Sequence, residues 1–137
     1  MDMPKKKKKK NSFNLREVFE QICIAELLAV GMGFIGGIIV IIFGDGLAQH
    51  FAFAGLQGAM ALALILTYLG IAIGSVMGVF LMKQSEESSL LVTSIFAVMG
   101  ALVSLLLLQI LGIGPALYFS VLPPIAATIG FHLSIKK

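Results

Sequence analysis

Apolar residues run almost without interruption through Ile22–Phe43, Gly55–Met82, Leu90–Leu111 and Ala116–Ile135, and polar residues collect in three short breaks and at the two ends. Whole segments are apolar all round, where a soluble amphipathic helix would carry a polar face. A run of about 20 apolar residues, at about 1.5 Å rise per residue, matches the hydrocarbon core of a bilayer. The pattern predicts an all-α polytopic membrane protein, a four-transmembrane-helix bundle with helices over residues 15–43, 55–82, 90–111 and 116–135.

Local signals sharpen these elements. Asn14 with Glu17 has capping-box spacing, and Phe13 with Val18 matches a hydrophobic staple, so structure is expected to begin at Asn14. A helix from Leu15 to Phe43 would be about 43 Å long, which leaves Arg16, Glu17, Glu20 and Gln21 in water or headgroups. Gly44 is expected to stop it in a C′ role, with Asp45 and Gly46 completing the turn. Leu47–Ala54 reads as a short interfacial helix, and Gly112–Pro115 as a tight turn. Pro123 and Pro124 remove two backbone donors, so the fourth helix should kink or break near its middle.

Charge adds orientation. Six of the ten basic residues are Lys5, Lys6, Lys7, Lys8, Lys9 and Lys10, in a stretch (residues 1–13) too polar to fold and expected to be a disordered cytoplasmic tail. With Arg16, the N-terminal flank holds seven Lys and Arg, the second break one and the C-terminal end two, while the first and third breaks hold none. Short loops rich in Lys and Arg stay cytoplasmic, so both termini are expected there, in the inner membrane if the source is bacterial. The lysine block is also a candidate contact for anionic lipid headgroups. The apolar run Leu27–Phe43 has 17 residues, longer than the about 7–15 of a signal-peptide core, so a retained anchor is expected.

Small residues recur every fourth position. Ala25, Ala29, Gly33 and Gly37 lie on helix 1, and Gly70, Gly74 and Gly78 on helix 2. Helix 3 carries Thr93, Ala97 and Ala101, and helix 4 carries Ala126, Gly130 and Ser134. In lipid no hydrophobic force separates helix from tail, and close backbone approach over small residues takes over. Such ridges serve packing within one bundle, or contacts to a second copy or to other membrane proteins. Ala29-Val30, Gly44 and Gly46 also match Ala97-Val98, Gly112 and Gly114 at an offset of 68, the pattern of a parallel duplication.

Few polar residues fall inside the apolar runs. Glu26 is the one acidic residue placed there, on the face of Gly33 and Gly37; an intramembrane carboxylate costs a few kcal/mol unless paired or wet. The alternative is an interfacial Glu26, with the span starting at Leu27. His132 and Glu26 are both expected about 6 Å below the cytoplasmic surface, which suggests a Glu26–His132 contact. Thr67 and Tyr68 offer hydroxyls near the middle of helix 2, and Gln109, Ser104 and Ser120 are minor polar candidates in the outer half. A proline-broken helix can line a binding site through its freed carbonyls.

There is no nucleophile–base constellation, no paired carboxylates on one helix face, no phosphate-binding loop and no metal-ligand spacing. Catalysis, cofactors, metals and nucleic acid are therefore not expected, and the lone Cys23 cannot form an internal disulfide. Two functions fit: a non-catalytic accessory or assembly subunit packing through its glycine faces, or a small oligomeric transporter or channel using Glu26 and the broken fourth helix.

Overall fold

The computed structural model describes residues 14–50, 56–82, 88–112 and 116–135. Five helical segments and no strand occur among them: α1 (Leu15–His50), α2 (Leu56–Met82), α3 (Leu90–Leu111), α4 (Ala116–Phe119) and α5 (Leu122–Ser134). Stretches of α1, α2 and α3 are long and apolar enough to cross a membrane. The fourth predicted span is different. It is divided into a single turn and a helix of 13 residues, which at about 1.5 Å per residue falls well short of a bilayer core.

Helix ends follow local chemistry. Asn14 accepts from the Arg16 backbone N–H through its side chain and from the Val18 N–H through its carbonyl, while its amide donates to Glu17 at 3.3 Å. Ser89 caps α3, its hydroxyl accepting from the Val92 N–H. At the far end the Gly112 N–H closes on the Leu108 carbonyl with φ at 84°, a left-handed conformation that suits a residue without Cβ. Gly44 does not end α1, which continues to His50. Glycine permits a left-handed stop without imposing one, and its cost of about 1 kcal/mol in a helix interior is tolerated where no proline follows. Phe13, the lysine block and Ile113 to Pro115 lie outside the described residues.

Packing is built on the small-residue ridges. α1 and α2 run antiparallel in constant register, Ala25 against Gly78, Ala29 against Gly74 and Gly33 against Gly70. A Cβ added to Gly70 would lie 3.2 Å from the Gly33 Cα, and one on Gly74 would lie 2.7 Å from the Ala29 Cα. The fourth position of the α1 ridge is Gly36 instead of Gly37: a Gly36 Cβ would meet the Thr67 Cα at 3.3 Å, whereas a Gly37 Cβ would meet only the Thr67 hydroxyl at 3.9 Å. Residues four apart drift about 40° around a helix at each step, and one step of three brings the ridge back.

α3 and α5 form a second hairpin. An added Gly100 Cβ would lie 2.9 Å from both the Pro123 Cα and the Ala126 Cβ, and a Gly130 Cβ 2.8 Å from the Phe96 Cβ. Ser134 ties the open end of this hairpin, accepting from the Ser89 N–H at 3.1 Å and sharing a 2.7 Å bond with the Ser88 hydroxyl.

Bulk is distributed inside out relative to a soluble protein. Ala25, Ala29, Ala97, Ala127, Ser75, Thr93 and Ser104 are buried, while Leu27, Phe34, Ile41, Ile110 and Leu133 are exposed. Where tails are as apolar as leucine, burial selects residues that pack closely, and large side chains face outward.

Candidate functional site

All seven described glycines at which an added Cβ would come within 3.0 Å of a neighbour meet that neighbour inside their own hairpin. The contacts that join one hairpin to the other have another character. Phe80 of α2 meets Phe131 of α5 edge to face, with ring centroids 5.2 Å apart. Two side-chain hydrogen bonds from α1 also cross between the hairpins, and both use residues the membrane tolerates poorly.

The first is at Gln21. Its amide nitrogen donates to the Val79 carbonyl at 3.3 Å, and its oxygen lies 2.9 Å from His132 Nε2. An amide oxygen only accepts, so His132 Nε2 is the donor. Gln21 thereby links α1, α2 and α5, and it is fully buried. This corrects two expectations: Gln21 is not in water or headgroups, and His132 turns to Gln21 instead of Glu26. The glutamine amide donates and accepts at once, which a carboxylate cannot do, so it can bridge the Val79 carbonyl and the His132 N–H together.

The second is at Glu26. The Ser120 hydroxyl donates to Glu26 Oε1 at 2.9 Å. Glu26 Oε2 is shielded within the protein and has no hydrogen-bond partner. It is the one such side-chain atom among the described residues, whereas several buried hydroxyls find the carbonyl one turn back on their own helix. Ser75 bonds the Ile71 carbonyl at 2.7 Å, Thr128 the Pro124 carbonyl at 2.8 Å and Thr93 the Ser89 carbonyl at 3.0 Å.

Ser120 is brought to Glu26 by the break in the fourth segment. The break falls at Ser120 and Val121, ahead of the two prolines, which occupy the first turn of α5. Their missing N–H groups are no loss there, because the first-turn donors of a helix have no intrahelical acceptor. Upstream they matter: the Phe119 and Ser120 carbonyls are denied the donors a continuous helix would supply. Ser104 of α3 compensates for Phe119, its hydroxyl lying 2.8 Å from that carbonyl and 2.8 Å from the Gly100 carbonyl. α5 itself starts regularly, with the Ile125 N–H on the Val121 carbonyl at 3.2 Å.

The remaining candidates sit elsewhere. Tyr68 is buried in the apolar core with Ile71, Ala72 and Leu108. Thr67 packs its backbone against the α1 glycines. Gln109 is exposed, as is Cys23. Among the described residues no three His, Cys, Asp or Glu gather as a metal site would require. The lysine block lies outside the described residues. Ser120 and Gln21 are the two site residues that periodicity undervalued; the signal for Ser120 was its place just ahead of Pro123-Pro124, and Gln21 had none beyond its polarity. The chain matches no protein-family model, no curated protein and no solved structure, so the reading that follows rests on this geometry.

Proposed function

We propose that this chain is a small integral membrane protein of the transporter or channel class, with both termini cytoplasmic, in which Glu26 is the group that meets the passing ion or solute. One observation carries the reading: a carboxylate within a span-length apolar helix has one oxygen held by Ser120 at a helix break and the other shielded and unpartnered. A half-buried carboxyl group with one shielded, unpartnered oxygen costs stability, and such cost concentrates at functional sites. Its position between two hairpins, each locked internally by glycine contacts, gives a seam along which the halves can part without breaking either.

The accessory-subunit reading drew on glycine faces offered to partners. Seven close-packed glycines meet their neighbours within the chain, which weighs for the transport reading over an accessory subunit that packs through those same positions. The test is flux. The purified full-length protein in liposomes is expected to move an ion or solute down an imposed gradient, and Glu26→Gln to abolish this while extraction and circular dichroism stay unchanged. Undiminished flux in the variant removes Glu26 from the activity.

A further inference from the structure

We infer that Gln21, Phe80, Phe131 and His132 form a gate over Glu26, at the end of the bundle where Asn14 and Ile135 lie; this deepens the transport reading and rests on it. The four side chains make one layer across the seam. Gln21 on α1 donates to the Val79 carbonyl of α2 at 3.3 Å and accepts from His132 of α5 at 2.9 Å. Next to each of those partners in sequence, the Phe80 and Phe131 rings meet edge to face with centroids 5.2 Å apart. Gln21, Val79 and Phe131 are fully buried, so the seam is shut at this level. Glu26 follows farther along α1, about 7.5 Å deeper by helix rise, with Oε2 shielded.

The two sides of the layer are each anchored to their own hairpin. Phe131 and His132 stand on a turn tied to the start of α3: the Ser88 and Ser134 hydroxyls lie 3.2 and 3.0 Å from the Phe131 carbonyl oxygen, and the Ser89 N–H donates to Ser134 at 3.1 Å. Gln21 keeps its bond to Val79 within the other hairpin, where Ala25 is seated on Gly78. Parting the seam here therefore breaks the Gln21–His132 bond and the Phe80–Phe131 contact, both between side-chain tips, and leaves the backbone contacts of each hairpin whole. Solvent also favours this end. Water can replace the broken amide–imidazole bond with bonds of its own, whereas on the far side of Glu26 the bundle buries Ile71, Ala72 and Leu108, which offer water nothing to bind.

The gate can be read without transport. The reporter is Ser120→Cys in the full-length chain with Cys23→Ser, held in liposomes and labelled from outside by a membrane-impermeant thiosulfonate. External trypsin then cuts the copies whose lysine-bearing end faces outward, and mass spectrometry counts adducts separately in cut and uncut chains. The labelling rate follows the open population. Adding Gln21→Ala removes one neutral hydrogen bond across the seam, so labelling should quicken about fivefold in the cut copies and stay unchanged in the uncut ones. Phe80→Leu, which keeps apolar bulk and loses the ring edge, should act in the same one-sided way and carries the test if Gln21→Ala fails to fold. Equal acceleration in both orientations overturns the inference, because it reports general loosening, as does labelling indifferent to both substitutions. One-sided acceleration together with flux that survives Glu26→Gln would leave the opening standing and remove the transport reading.

Discussion

Gly74→Ala tests the packing on which the seam depends. The new Cβ would lie 2.7 Å from the Ala29 Cα and 2.7 Å from the Leu28 carbonyl carbon, with the Leu28 oxygen closer still. These are backbone atoms of α1, so no rotamer change relieves the clash. Ordinary contact begins near 3.4 Å, so α1 and α2 must separate locally by about 0.7 Å to clear the two carbons and by about 1 Å to clear the oxygen. A gap of that size forfeits about a quarter to a half of each dispersion contact along the interface, and overpacking of this kind costs about 1–3 kcal/mol. We expect a loss of about 2 kcal/mol, a factor of about 30 in the folding equilibrium. The assay is reversible unfolding in mixed micelles titrated with a denaturing detergent, followed by circular dichroism. Gly31→Ala is the matched control: it makes the same chemical change on the same hairpin, where an added Cβ meets nothing within 4 Å. It should be neutral or slightly stabilising, since alanine is the better helix former. Equal midpoints for the two variants would refute the argument that backbone contact at the ridge holds the hairpin together.

The seam and the break give two further expectations. Gln21→Leu strips the acceptor from His132 and should cost about 1–3 kcal/mol in the same unfolding assay, while adding His132→Phe should recover part of the loss, because removing both partners costs less than removing one; a double variant no more stable than the single would show that the bond contributes little. Pro123→Ala with Pro124→Ala supplies N–H groups to the Phe119 and Ser120 carbonyls, so α5 should extend through residues 120–121 and carry Ser120 away from Glu26. The new amide hydrogens at positions 123 and 124 should then exchange slowly, as helical N–H groups do, and flux should fall; slow exchange there with flux intact would separate the break from the activity.

Composition and spacing determined the parts of this protein that depend on one helix at a time. The apolar runs specified three helices of spanning length because, in lipid, a segment of that length must satisfy its own backbone hydrogen bonds and a helix is the local way to do so. The ridges of Ala25, Ala29 and Gly33 and of Gly70, Gly74 and Gly78 were visible as periodicities, and Pro123-Pro124 announced an interruption. Tertiary structure decided everything that involves a choice of partner. It set which ridge faces which, the substitution of Gly36 for Gly37 as helical drift accumulates, and the position of the break ahead of the prolines, where their missing donors are harmless. It also paired His132 with Gln21 and Glu26 with Ser120, 94 residues apart in sequence. Depth along each helix, inferred from sequence, placed Glu26 and His132 at one level but not on facing surfaces. A side-chain hydrogen bond needs both, and the rotation and tilt that bring two faces together arise only when all the helices pack at once.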